Sequence, residues 1–207
     1  MASWYERTIL PKFLSCACSG PQMMRQRSRL VPRASGRVLE LGVGMGLNLA
    51  FYDPARVTSV SGVDPASELR AMAEAAPRPE GLPVEILPGV AEDLPFAADS
   101  FDSVVCTFTL CSVHSPEQAL AEAMRVLRPG GRLFYCEHGL APEADVARWQ
   151  GRIEPVWKRL AGGCRLTRPI ESLLEGAGFP TAGAECGFLP KVPRFAGWNV
   201  FGETAKG

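Results

Sequence analysis

From Arg37 onward the chain alternates short β-branched or apolar runs with stretches of helical period, the pattern of an α/β protein built on a mostly parallel sheet. Residues 37–41 predict a first strand ending in glycines, with a helical stretch after them. Residues 57–63 predict a second strand closed by Asp64-Pro65, and 84–87 a short third. The fourth, 101–107, is apolar through Val104-Val105-Cys106 without alternation, which predicts burial on both faces. The turn residues Arg128-Pro-Gly-Gly131 lead into a fifth strand over 132–137, and the tail from 183 to 205 predicts two more, paired antiparallel at one edge.

Helical patterns fill the gaps. Residues 66–76 are rich in Ala and Glu and stop at Pro77 and Pro79. Ser115 as N-cap and Pro116 at the first helical position open a helix that runs to Leu127. Residues 144–160 carry Trp149, Ile153 and Trp157 at i, i+4 and i+8, a stripe expected to face the core. Residues 169–175 predict another helix, ended by Gly176-Ala-Gly178.

Residues 1–35 stand outside this alternation and predict a helical cap over a domain formed by 36–207. Trp4, Tyr5, Ile9, Phe13 and Leu14 are apolar there, and Trp4 with Tyr5 either closes a site as a lid or anchors the cap. Arg25, Arg27, Arg29, Arg33 and Arg37 concentrate positive charge, as a solvated face or as a peripheral membrane contact with anionic headgroups.

Composition narrows the field. The 207 residues suggest one domain with a small appendage, and 22 Lys+Arg balance 22 Asp+Glu, so no bulk attraction to nucleic acid is expected. Seven cysteines, an odd number, with no apolar leader in residues 1–20 and no run of about 18 apolar residues anywhere, predict a cytoplasmic chain with free thiols. Cys16-Ala-Cys18 has one intervening residue where zinc-binding pairs have two to four, so no metal is expected. Cys106, Cys111 and Cys136 are expected to act as small buried hydrophobes, and Cys164, in a loop, to be the least inert.

The chemistry gathers where strands end. Glu40-Leu-Gly42-Val-Gly44-Met-Gly46 is a glycine turn that lets backbone approach a ligand. Leu47 breaks the dinucleotide G-x-G-x-x-G, and no Lys follows to make a P-loop. The carboxylate of Glu40 suits an amine-bearing ligand better than a pyrophosphate. Asp64, one strand on, is placed to accept ribose hydroxyls. Glu92 and Asp93 follow the third strand, and Thr107 to Leu110 the fourth.

These segments resemble the class I S-adenosylmethionine-dependent methyltransferases over residues 36–178. Val38-Leu-Glu-Leu-Gly-Val-Gly-Met-Gly46 matches their first motif and Gly62-Val-Asp-Pro65 the second. Ala91-Glu-Asp-Leu-Pro-Phe96, Asp99-Ser-Phe-Asp-Ser-Val-Val105 and Leu127-Arg-Pro-Gly-Gly-Arg-Leu133 match later ones. The resemblance implies a doubly wound, seven-stranded, mostly parallel sheet with an antiparallel edge pair and helices on both faces. It implies S-adenosylmethionine as cofactor and S-adenosylhomocysteine as product. Glu40, Gly42, Gly44 and Gly46 would hold the amino-acid end, Asp64 and Pro65 the ribose, Ala91 and Glu92 the adenine, and Thr107 and Leu110 the floor below the sulfonium. Val90 stands where many relatives carry Asp.

Four further segments are similar to the methyltransferase-like proteins that methylate alkyl thiols: Val105-Cys-Thr-Phe-Thr-Leu-Cys-Ser-Val113, Glu137-His138, Glu154-Pro-Val-Trp157 and Gly163-Cys-Arg-Leu-Thr-Arg168. Broader similarity extends to phospholipid N-methyltransferases and quinone-precursor C-methyltransferases. The acceptor implied is a small apolar or lipid-like molecule, an alkyl thiol first; a non-catalytic, cofactor-binding regulatory partner is the rival. A thiol acceptor calls for a base, and His138, His114 and Asp93 all follow strand ends.

Overall fold

The structure, a computed structural model, describes residues 18–207. Seven strands form one sheet in the order β3-β2-β1-β4-β5-β7-β6: β1 Gly36–Leu41, β2 Val57–Asp64, β3 Val84–Pro88, β4 Phe101–Thr107, β5 Leu127–His138, β6 Glu185–Phe188 and β7 Trp198–Ala205. Strands β1 to β5 pair in parallel, and β7 runs antiparallel to both β5 and β6. This is the doubly wound sheet with an antiparallel edge pair that the alternation and the motifs imply.

The helices are α1 Pro21–Leu30, α2 Ser67–Glu74, α3 Pro116–Val126, α4 Ala144–Leu160, α5 Ile170–Gly176 and the single turn α6 Arg194–Gly197. Side chains alternate across the strands into two cores. Leu39, Leu41, Val104, Cys106, Leu133 and Tyr135 pack on one face with Leu120 and Val126 of α3 and Leu174 of α5. Val38, Val60, Val105, Phe134 and Cys136 pack on the other with Leu30 of α1, Ala73 of α2 and Tyr52. The centre of β4 is therefore covered on both sides, as its unbroken apolar run predicts. Ser115 caps α3 by accepting from the Gln118 amide, with Pro116 beginning the helix.

Three expectations need correction. The glycine turn is followed by one 3-10 turn, Leu49–Phe51, and no α-helix. Pro54 and the entry into β2 at Val57 leave too short a segment for one. The Trp149/Ile153/Trp157 stripe is core only in part: Trp157 packs half-buried against Cys111, Ala161 and Cys164, but Trp149 is 58% exposed, and the fully buried positions of α4 are Val146 and Gln150. A polar side chain anchors this helix. Gln150 donates from Nε2 to the carbonyls of Gly139 and Phe195 and accepts from the Ala141 amide, so its bonds decide which face turns inward.

The arginine run also does not form one solvated face. Arg27 is buried, Arg29 pairs with Glu185 at 2.7 Å, and Arg33 pairs with Glu203 at 2.9 Å, so two of the run bind the antiparallel edge strands. Trp4, Tyr5, Ile9, Phe13, Leu14 and Cys16 lie outside the described residues. Among the described residues no helix is long and apolar enough to cross a membrane.

Candidate active site

A cleft of about 540 Å³ opens at the carboxyl ends of β1, β2 and β4, where the strand order reverses. The turn after β1 forms one wall. Gly42 takes φ +63°, and a Cβ there would lie 2.6 Å from Cγ2 and Oγ1 of Thr109, so only glycine lets this turn lie against the loop after β4. The Val43 amide donates to the Val63 carbonyl at 3.0 Å and the Gly44 amide to Asp64 Oδ2 at 3.0 Å, which ties the turn to the end of β2. Asp64 Oδ1 accepts from the Ala66 amide at 2.9 Å. Burial pushes the Asp64 carboxyl above its ordinary range, opposed by those two amides and the Arg70 charge.

A buried polar network underlies this wall. Glu40 accepts from Asn48 Nδ2 at 2.8 Å and from the Tyr52 hydroxyl at 2.7 Å. Burial pushes its carboxyl up to about 7, against those hydrogen bonds and the nearby Arg27 charge. Arg27 reaches in from α1: its Nη1 donates to Asn48 Oδ1 at 2.8 Å and to Thr107 Oγ1 at 2.6 Å, and its guanidinium lies 5.3 Å from the Phe108 ring centre. Phe108 itself holds φ +54°, a strained conformation for a side-chain-bearing residue at the cleft.

Of the residues the sequence singles out, Gly42, Gly44, Asp64, Pro65, Ala91, Glu92, Thr107 and His114 line this cleft. The others do not. Glu40 lies beneath the glycine turn in its network. Gly46 (φ +79°) is a packing position, where a Cβ would meet Ala76 Cβ at 2.8 Å. Leu110 is fully buried in the core, because the chain turns inward after Thr109. Asp93 is exposed and its backbone bridges to Val90. Glu92 Oε1 accepts from the amides of His114 and Ser115 at 2.6 and 3.1 Å, bracing the loop that carries His114 at the cleft.

His138 lies behind the cleft wall, its Nε2 3.0 Å from Cys164 Sγ. Cys111 joins them, so it is not the inert hydrophobe expected, and Trp157 donates from Nε1 to Cys164 Sγ at 3.2 Å. Arg27, Asn48 and Tyr52 are site residues that the motifs do not mark, whereas Phe108 falls within the motif segment at the end of β4. Arg27 had a signal in its spacing: Arg27, Leu30 and Val31 share one helical face at i, i+3 and i+4, which turns inward.

The cleft accommodates the cofactor that the motifs imply. A carboxylate held by two amides stands at the end of β2, backbone approaches closely at Gly42 and Gly44, and a buried guanidinium faces the same cavity as a partner for an α-carboxylate.

Comparison with known proteins agrees. Residues 39–135 match the family model described as a methyltransferase domain. The human thiol S-methyltransferase TMT1B is 44% identical over 155 residues, covering 70% of this chain and 62% of that protein. The phosphatidylethanolamine N-methyltransferase of Cereibacter sphaeroides is 36% identical, covering 66% of this chain and 64% of that protein. The chain thus matches about three fifths of the length of these curated relatives. A crystal structure of an S-adenosylmethionine-dependent methyltransferase from Thermotoga maritima shares the fold, with TM-score 0.66 at 23% identity over 97% of this chain and 99% of that one. The motifs at the cleft, the strand order and these matches together identify the chain as a member of the S-adenosylmethionine-dependent methyltransferase family.

Proposed function

We propose that the protein transfers a methyl group from S-adenosylmethionine to a small apolar acceptor, an alkyl thiol before others, in a reducing compartment. Bound at the cleft, the cofactor supplies a sulfonium methyl open to in-line displacement. The observation that carries the acceptor class is the β4 side of the cleft. Phe108, Val113, Ala161 and Gly162 make an apolar wall beside Cys18 and Ser112, which suits an alkyl chain better than a charged headgroup. The 44% identity to a thiol S-methyltransferase supports the same class.

The residues do the positioning. Gly42, Gly44 and Asp64 hold the nucleoside and amino-acid portions, and Arg27, with Thr107, takes the α-carboxylate. Cys18 and Arg27, from the segment before β1, line one side of the cleft, which supports reading that segment as a cap. A thiol of pKa near 8.5 is only a few per cent thiolate at neutral pH, so a base near the mouth speeds transfer. His114 is the histidine that faces the cleft and is the residue proposed to accept that proton.

The test is transfer of a labelled methyl group to a simple alkyl thiol by the full chain, with phosphatidylethanolamine vesicles as the parallel acceptor. Label in the thioether is expected. Label only in lipid would replace the thiol reading with phospholipid N-methylation. Cofactor binding without any transfer, across thiols and lipid, would favour a regulatory binding protein.

A further inference from the structure

Cys111, His138 and Cys164 come from three separate segments: the loop after β4, the last residue of β5 and the loop after α4. Their ligand atoms, two Sγ and Nε2, all lie within 4.8 Å of one another, and both cysteines are buried. Around a tetrahedral zinc with Zn–S of about 2.3 Å and Zn–N of about 2.0 Å, a sulfur–sulfur edge is roughly 3.8 Å and a sulfur–nitrogen edge roughly 3.6 Å. The observed spacings bracket those edges: Cys164 Sγ lies 3.0 Å from Nε2, and no pair of the three exceeds 4.8 Å.

The three groups form a compact cluster. The Cys164 sulfur lies 3.0 Å from the imidazole Nε2 of His138 and accepts from the Trp157 indole N–H at 3.2 Å, so polar groups meet it on two sides. His138 Nδ1 makes no hydrogen bond among the described residues, and Nε2 is the ring nitrogen that meets Cys164.

We propose that Cys111 Sγ, His138 Nε2 and Cys164 Sγ form a soft-cation site that takes zinc, with the fourth position left to water or another small donor. Two thiolates and a neutral imidazole match zinc's preference among divalent ions and disfavour magnesium or calcium. Binding displaces the thiol protons into solvent, so no oxidant or reductant is required. The indole N–H of Trp157 becomes an outer hydrogen bond to the Cys164 thiolate.

The consequence for the cleft is mechanical. Ser112 follows Cys111, and Ala161 and Gly162 precede Cys164, and all three line the apolar wall. A metal bridging 111, 138 and 164 clamps that wall to the end of β5. The sequence conceals the site because its ligands are 27 and 26 residues apart on different elements, unlike the close pairs of a zinc finger. The assignment stands apart from the acceptor's identity: the metal readout requires no methyl transfer, and a failed thiol assay leaves it untouched.

The experiment uses the full chain, stripped with chelator under reducing conditions and titrated with cobalt(II) and then zinc. The expected spectrum has intense visible bands of a four-coordinate ion and a near-ultraviolet thiolate-to-cobalt band, both abolished by stoichiometric zinc. Cys111→Ser and Cys164→Ser should each lose the site, Cys186→Ser on exposed β6 should keep it, and Trp157→Phe should bind roughly tenfold more weakly. Absence of the charge-transfer band in the unsubstituted chain overturns the proposal, whatever the variants do. So does a band that Cys186→Ser removes, or one that survives both Cys111→Ser and Cys164→Ser.

Discussion

Replacing Gly42 by alanine isolates what the glycine turn does, because the structure separates backbone strain from collision. Gly42 sits at φ +63° and its added Cβ lands 2.6 Å from two atoms of Thr109; Gly130 sits at φ +74° with nothing within 4 Å of its added Cβ. At Gly130 the cost is backbone strain alone, about 1–2 kcal/mol, reduced by about 0.4–1 kcal/mol because alanine also restricts the unfolded chain. At Gly42 the same strain is joined by displacement of Thr109. Its Oγ1 donates to the Leu41 carbonyl at 2.9 Å, and its amide donates to Glu137 Oε1 at 2.8 Å. Overpacking of about 1–3 kcal/mol and a disturbed buried hydrogen bond of about 1 kcal/mol or more put Gly42→Ala roughly 3 kcal/mol below Gly130→Ala. Urea unfolding reads the difference directly, and in thermal melts of a chain this size it amounts to roughly 6–12 °C. Thr109→Ala in the Gly42→Ala background should restore part of the loss, since the clashing Cγ2 and Oγ1 are gone. Equal destabilisation by Gly42→Ala and Gly130→Ala would refute the claim that the turn is held against Thr109.

Three other perturbations probe the cleft. Asp64→Ala removes the acceptor for the Gly44 and Ala66 amides together with the carboxylate proposed to bind the ribose; calorimetric titration should show S-adenosylmethionine bound roughly a hundredfold more weakly, about 3 kcal/mol, and unchanged affinity would remove Asp64 from the site. The Glu40 carboxyl, raised to about 7 by burial, keeps a proton in the folded chain that the unfolded chain releases near 4.5. Its contribution is therefore complete below that ordinary value and is lost as pH rises through about 7. The loss is on the order of 3 kcal/mol, and Glu40→Gln should flatten that part of the stability–pH curve. Arg27→Leu leaves Asn48 Oδ1 without its donor, leaves Thr107 Oγ1 with only the Asn48 Nδ2 bond, and takes away the charge that lowers the Glu40 carboxyl. Denaturation should show about 2 kcal/mol lost, with the Glu40 transition moved to higher pH; an unmoved transition would separate the two residues.

The strands were legible along the chain because each is a short apolar run closed by glycine, proline or a carboxylate, and that local chemistry survives any packing. So were the glycine turn, Asp64-Pro65 and the cap at Ser115, whose functions depend on neighbours a few residues away. Three-dimensional assembly decided the rest. The inward face of α4 centres on Gln150, which bonds to Gly139, Ala141 and Phe195, partners up to 45 residues distant; Trp157 packs inward beside it, and Trp149, at the edge of the aromatic stripe, is left in solvent. Arg27 became a cleft residue while Arg29 and Arg33 found acids on β6 and β7, a division that depends on where those strands lie, and residue type alone does not reveal it. The meeting of Cys111, His138 and Cys164 belongs to the same class: only the order of strands and the return of α4 bring those three segments within one ion's reach. Periodicity and turn chemistry are written in adjacent residues, whereas the placement of a side chain against a distant partner depends on burial and geometry that exist only once the sheet has formed.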